Sequence, residues 1–256
     1  MYNNLFSCED KVALVTGGLG LIGKEIVRGL HDFGASVCVA DINEHQMESL
    51  KNLANVNFQY LDITSEDSIH QALEAVIERH KKIDILINCA YPRTGDWGAR
   101  CEDVSFDSWK MNMNSHLGGY FLCCQKVAEQ MKRQGGGSII NFASIYGVVA
   151  PDFSIYEGSA MTMPVAYSAI KGGIIALSKY LATYYAKDKI RVNCISPGGV
   201  FDKQPDSFVE RYVAKTPLGR MGTPEDTVGA VLYLASNASS YVTGRNLIVD
   251  GGWTAC

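Results

Sequence analysis

The sequence predicts an α/β fold: a doubly wound parallel sheet of about seven strands, with helices on both faces. Three observations predict it. Short apolar runs alternate along the chain with longer stretches of helical period. The short runs are continuously apolar, as strands buried on both faces are. A glycine-rich turn separates the first such run from the first helical stretch.

The elements follow in order. Lys11–Thr16 is a strand that stops at glycines, and Gly20–Phe33 a helix with Leu21, Ile22, Ile26, Val27 and Leu30 in period. Ser36–Ala40 is a second strand, Glu44–Ala54 a helix and Val56–Tyr60 a third strand. Ser65–Lys82 is an amphipathic helix with Ser65 as N-cap, but Ser68 stands where a capping box needs Glu or Gln. Ile83–Ile87 is the fourth strand, and one long helix runs from about Ser105 to Arg133. Three glycines lead into the fifth strand, Ser138–Phe142. Pro164–Ala186 is a helix, Ile190–Ile195 the sixth strand, Pro224–Ala235 a helix with Pro in its first turn, and Asn246–Val249 the seventh strand. No repeat or linker interrupts this series, so residues 1–256 are assigned to one domain. Ala90–Val104 and Ile145–Met163 have no period, and Gly198–Thr216 is mixed. Loops of this length in a compact domain are usually functional.

Composition narrows the function. At 47% apolar and 20% charged, the 256 residues can bury a core and are not those of a disordered chain. No apolar run approaches the roughly 18 residues of a membrane span. A net charge of −4 speaks against a nucleic-acid binder and is compatible with a small-molecule substrate as partner. Met1 to Asn4 carry no basic and apolar signal pattern, and the eight cysteines include no C-x-x-C pair. These features predict reduced, mostly structural thiols, no metal site and a cytoplasmic protein.

Gly17, Gly20 and Gly23 have G-x-x-G-x-x-G spacing between a strand and a helix. Glycine permits the tight turn and close backbone approach that a pyrophosphate needs, and the helix N-terminus offers free N–H groups to it. This strand–loop–helix context predicts a dinucleotide site on a Rossmann fold. Asp41 follows the second strand, 18 positions beyond Gly23. Its carboxylate can accept from the adenosine ribose hydroxyls and repels a 2′-phosphate, so NAD is favoured over NADP.

Tyr167 and Lys171 are four apart on one helix face. A free Tyr titrates near 10, too high for proton transfer at neutral pH, and a nearby ammonium lowers that value. Ser144 lies just past the fifth strand, at the carboxyl edge where open α/β sheets build their sites.

With these residues the chain resembles the short-chain dehydrogenases/reductases from Lys11 to about Trp253. The segments stand in that family's order: the glycine loop, Asp41, Leu61-Asp62-Ile63-Thr64, Asn88, Ser144, Tyr167-x-x-x-Lys171, Arg191 to Gly198, and Thr243-Gly244 through Gly252. The resemblance implies NAD(P)-dependent hydride transfer between an alcohol and a carbonyl. It implies Tyr167 as general acid/base, Lys171 as its tuner and ribose ligand, and Ser144 as hydrogen-bond partner of the reacting oxygen. It implies Asp62 beside the adenine and Pro197-Gly198 along the nicotinamide. Leu21, Ile22, Ile63, Asn88, Ala90 and Val200 complete the implied cofactor set.

There are departures. Leu21 replaces the second glycine of the more common T-G-x-x-x-G-x-G loop, and Asp202 replaces the usual Thr after P-G-x-x-x. Tyr91 replaces the glycine of N-N-A-G. His116, seven residues past Trp109, takes the place of the family's asparagine, which normally holds a water linking Lys to solvent. His116 either joins that proton relay, adding a pH dependence between about 6 and 7, or is a helix residue without a role.

Tyr167 follows Ser144 by 23 positions, where about a dozen is common in the family. The added segment holds Asp152, Tyr156, Glu157, Met161 and Met163, and the other loop holds Tyr91, Arg93, Trp97 and Arg100. Stacking and polar groups together suit a sugar or sugar phosphate, with Arg93 and Arg100 as candidates for a phosphate. Both loops resemble those of family members associated with flagellin modification and surface-glycan synthesis. Gly173–Ala186 is apolar almost all round, which predicts burial on both sides and, with Tyr120–Cys124, the interface of a homotetramer or homodimer. Two other functions remain: a nucleotide-sugar epimerase or dehydratase with retained NAD, and a non-enzymatic NAD-binding regulator.

Overall fold

The computed structural model describes residues 4–159 and 161–255. Met1 to Asn3 and Cys256, which entered the signal and thiol readings, lie outside the described residues. Seven parallel strands form one sheet: β1 (Val12–Thr16), β2 (Ser36–Asp41), β3 (Val56–Tyr60), β4 (Ile85–Asn88), β5 (Gly137–Phe142), β6 (Ile190–Pro197) and β7 (Asn246–Val249). Their order is β3-β2-β1-β4-β5-β6-β7, so the connections reverse direction between β1 and β4. That switch point opens a crevice at the carboxyl ends of the strands.

The side-chain alternation of the strands divides the core in two. Leu14, Cys38, Leu86, Ile139 and Val192 face α2 (Glu66–His80), α4 (Gly119–Gln134) and α5 (Val165–Tyr184). Ala13, Val15, Val37, Val39, Ile85, Ile87 and Ile140 face α1 (Leu21–Asp32) and α7 (Val228–Ala235). Both faces are therefore apolar, which is why the strands read as continuous apolar runs.

Three elements differ from expectation. Glu44–Ala54 is not an α-helix: residues Glu44–Leu50 form 3-10 turns, and only Leu50 is buried. One buried residue in seven gives too little apolar stripe to hold a longer helix. The long helix from Ser105 is α3 (Phe106–Asn112), a π-helical turn (Met113–Gly118) and then α4. The mixed stretch after Gly198 contains α6 (Asp206–Ala214), which buries Phe208 and Tyr212, four apart. Ser65 caps α2 as expected, accepting from Ser68 N.

The apolar helix α5 is not buried all round. Tyr180 and Tyr184 are 62% exposed each and stack on one another at 5.8 Å. Within Tyr120–Cys124, Tyr120, Cys123 and Cys124 point into the core, while Phe121 is 41% exposed. Among the described residues no helix is long and apolar enough to cross a membrane, and the seven cysteines are free thiols.

Candidate active site

A cavity of about 730 Å³ runs along the carboxyl ends of the strands, from Asp41 and Asp62 at one end to Tyr156, Phe208 and Tyr212 at the other. The glycine loop forms one wall. Gly17 has a φ of +67°, and a Cβ there would lie 2.6 Å from the Ala90 Cα. A Cβ at Gly23 would lie 2.1 Å from the Gly17 carbonyl oxygen. Both positions exclude a side chain, so loop and helix close tightly. Gly20 precedes α1 without a side-chain cap, and no acidic residue stands in the first turn. The N–H groups of that turn are free to meet an anion.

Asp41 ends β2 at the cavity wall. Its carboxylate accepts from Leu19 N at 3.0 Å, Ile42 N at 2.8 Å and Asn43 N at 3.3 Å. Asp62 accepts from the backbone N and the hydroxyl of Thr64 at 2.9 and 2.8 Å. Leu21, Ile22, Ile63, Ala90, Pro197, Gly198 and Val200 line the same cavity. Asn88, expected in the cofactor set, does not line it. Its side chain is fully buried and donates to Asn141 Oδ1 at 2.9 Å and Cys124 Sγ at 3.3 Å. It ties β4 to β5 and α4, because a buried amide must find partners inside the protein.

Ser144, Tyr167 and Lys171 converge at the centre of the cavity. Ser144 caps a short 3-10 turn, accepting from Tyr146 N at 3.2 Å, and this fixes its side chain at the end of β5. Lys171 is 4% exposed and donates to the Phe142 carbonyl at 2.8 Å. Burial pushes its ammonium down to about 8. The Tyr167 phenol departs from expectation. Burial raises it above its ordinary value, and the hydrogen bond with Ser144 opposes that rise only in part. The ammonium, 5.5 Å from the ring centroid, does not reverse it.

His116 sits on the π-helical turn, fully buried, with Nε2 3.4 Å from Lys171 Nζ. Such turns are frequent at functional sites. An ammonium only donates, so Nε2 accepts and the ring proton resides on Nδ1. Burial first, and then the Lys171 charge, hold the imidazole well below its ordinary value. That direction runs against the expected titration between 6 and 7.

The far end of the cavity has its own small core. Ile155, Tyr156, Phe208, Tyr212 and Met221 pack together, with Met161 and Met163 against them. The segment after Ser144 is thereby joined to α6, and Lys215 pairs with Asp152 across the same seam. Phe208, Tyr212, Gln204 and Met221 line the cavity and were not anticipated. The four-residue spacing of Phe208 and Tyr212 was the available signal. Of the two arginines expected near a phosphate, Arg93 lines the cavity and Arg100 does not.

Comparison with known proteins places this geometry. The profile of the family described as Enoyl-(Acyl carrier protein) reductase matches residues 20–254. A short chain dehydrogenase of Leptospira borgpetersenii, solved with bound NAD+, has a TM-score of 0.90 and 40% identity, covering 99% of this chain and 96% of its own. The chain belongs to the short-chain dehydrogenases/reductases. Like its relatives in this family, it is an NAD(P)-dependent oxidoreductase. Post-translational flagellin modification protein A of Campylobacter coli is 36% identical over 252 residues, covering 96% of this chain and 98% of that protein. A 3-oxoacyl-(acyl-carrier-protein) reductase of Chlamydia pneumoniae is also 36% identical, over 95% and 97% of the two chains. The loop with no room for a side chain at Gly17 or Gly23, the uncapped helix start and the oriented Asp41 carboxylate fit the family's dinucleotide.

Proposed function

We propose that this dehydrogenase uses NAD to transfer hydride to or from a sugar or sugar-phosphate alcohol, in the modification of flagellin or a surface glycan. The observation that carries the substrate reading is the wall beside Tyr167. The Tyr91 ring meets the Tyr167 ring edge-on at 5.9 Å, Trp97 meets Tyr167 at 6.2 Å, and the Arg93 guanidinium lies 5.6 Å from the Tyr91 centroid. Aromatic faces with phenol rims and the Arg93 guanidinium beside them suit a polyhydroxylated or anionic ring. The likeness to the flagellin modification protein supports the same reading. Asp41 supports NAD over NADP, because its carboxylate repels a 2′-phosphate.

In the oxidation direction, Ser144 hydrogen-bonds the substrate oxygen and Tyr167, as phenolate, takes its proton. Lys171 holds a positive charge beside that phenolate and would hold the nicotinamide ribose. The bound nicotinamide supplies the hydride acceptor. His116 accepts from Lys171 and keeps its Nζ directed at the site. The exposed Tyr180 and Tyr184 on α5 support assembly as a homodimer or homotetramer.

A panel of sugars, sugar phosphates and polyols, run with NAD and with NADP, tests the proposal. An acyl thioester belongs in the same panel, because Met161, Met163, Phe208 and Met221 also make an apolar floor and the acyl reductase is equally similar. Turnover of a sugar-type alcohol with NAD is expected. Turnover confined to the thioester would replace the sugar reading with the acyl one.

A further inference from the structure

Tyr91 and His116 depart from the family pattern at places 25 residues apart, and the fold brings them into contact. Their ring centroids are 5.3 Å apart at 83°, edge to face. The Tyr91 ring also meets Tyr167, and Lys171 Nζ lies 5.8 Å from its centroid. Trp97 Nε1 donates to the Tyr91 phenol oxygen at 2.8 Å and holds the ring in this orientation. The loop that carries both is pinned to α3 through Asn112, which accepts from Thr94 N at 3.1 Å and donates to Thr94 Oγ1 at 2.7 Å. The backbone at Tyr91 does not have a positive φ. Conformation therefore does not call for glycine here, and the space beside the catalytic lysine decides which residue fits.

We propose that Tyr91 and His116 are a matched pair of positioning residues, filling together the space beside Lys171 and setting where its ammonium stands relative to Tyr167. The buried ammonium has two polar partners, the Phe142 carbonyl and His116 Nε2. Three rings surround it as well: the centroids of Tyr167, Tyr120 and Tyr91 lie 5.5, 5.7 and 5.8 Å away. Ring faces at this distance attract a desolvated cation. The titratable groups facing it are Cys89 and Tyr91 from the loop after β4, His116 from the π-helical turn, Tyr120 from α4, Tyr167 from its own helix and Cys194 from β6. Among the described residues no carboxylate faces it, so the positioning falls to the rings, the imidazole and the Phe142 carbonyl. A glycine at 91 with His116 retained leaves the imidazole packed against Tyr120 on one side and open on the other. An asparagine at 116 with Tyr91 retained is too short to reach Nζ and leaves a gap behind the ring. Changing both restores a glycine–asparagine combination in which water can fill the vacated space.

The test is a double-variant cycle over Tyr91→Gly and His116→Asn with NAD bound. The readout that needs no substrate is the titration midpoint of the Tyr167 phenol, followed by NMR on protein labelled at the tyrosine Cζ and assigned by its loss in Tyr167→Phe. Each single variant is expected to move the midpoint by about half a pH unit or more, and the double variant to move it less than the two shifts combined. With a substrate from the panel, each single variant is expected to lose about tenfold in kcat with the KM for NAD within about twofold, and the double to lose no more than the worse single. Tyr91→Phe, which keeps the ring, is expected to recover most of what Tyr91→Gly loses. Shifts that simply add in the double variant, or single variants that leave the midpoint unmoved, overturn the proposal. A panel without turnover counts against the sugar reading alone, because the NMR cycle does not depend on it. Should Tyr91→Gly fail to fold, Tyr91→Leu enters the same cycle.

Discussion

Lys171 Nζ and His116 Nε2 lie 3.4 Å apart, the imidazole fully buried behind the lysine and the lysine on the cavity wall. A lysine that must carry charge and an imidazole that must not are held against each other. The ammonium's own hydrogen bond keeps the imidazole proton on Nδ1, and that atom has no partner among the described residues. A buried donor left unpaired costs about 1–3 kcal/mol, so the arrangement is held by the surrounding packing.

The first prediction follows from that contact. The His116 ring should show no titration midpoint between pH 6 and 7, because burial and Lys171 both disfavour its protonation. Ring carbon or nitrogen chemical shifts across pH 5–8 provide the check. A midpoint near 6.5 would return His116 to the role of a titrating relay.

Tyr167→Phe should remove turnover by a factor of about 10² to 10⁴, the usual worth of a positioned general acid/base. NAD affinity, measured by fluorescence or calorimetry, should change little. Retained turnover would move the proton transfer to another group.

Stability should respond to pH through Lys171. Its folded value of about 8 lies below its ordinary value of 10.5. The unfolded chain therefore binds more protons between those values, and this group makes stability rise with pH from about 8 to about 10.5. The contribution has an upper figure of about 3 kcal/mol. Denaturant unfolding of Lys171→Met beside the parent, at several pH values in that window, should show a smaller rise in the variant. Parallel curves would mean that the ammonium is better solvated than its burial implies.

Asp41 should set the cofactor preference. Asp41→Ser removes the charge that repels a 2′-phosphate and the acceptor for ribose hydroxyls. The KM ratio of NADP to NAD is expected to fall by at least about tenfold. An unchanged ratio would assign the preference elsewhere in the loop.

Gly17→Ala should destabilise the protein and weaken cofactor binding together. The substitution combines a positive φ with a Cβ 2.6 Å from the Ala90 backbone. Such changes cost about 1–4 kcal/mol, a fall of several degrees in Tm for a chain this long. Wild-type Tm and NAD affinity in this variant would show that the loop can open without loss.

Much of this protein could be read from its residues because the signals were local or periodic. Runs such as Val12–Thr16 are buried throughout and apolar up to Val15, since both faces of the sheet are covered. The glycine loop is legible because sterics at Gly17 and Gly23 forbid any other residue. The structural ties of Asn88 were not legible because its neighbours are distant in the chain: Cys124 and Asn141 meet it only across the sheet. Helix α6 was missed because its apolar face packs on the segment around Tyr156, and that partner gives no periodic signal of its own.

The order of strands and helices, the dinucleotide loop and the Ser144, Tyr167 and Lys171 set were thus determined by the sequence itself, because spacing along a strand or helix dictates which residues share a face. Tertiary structure alone decided the electrostatics. The depth of burial around Lys171 lowers one group and raises its neighbour, and no linear pattern records that depth. It also decided that Tyr91 and His116 touch, since the loop after β4 and the π-helical turn approach only when the sheet and its helices close around one lysine.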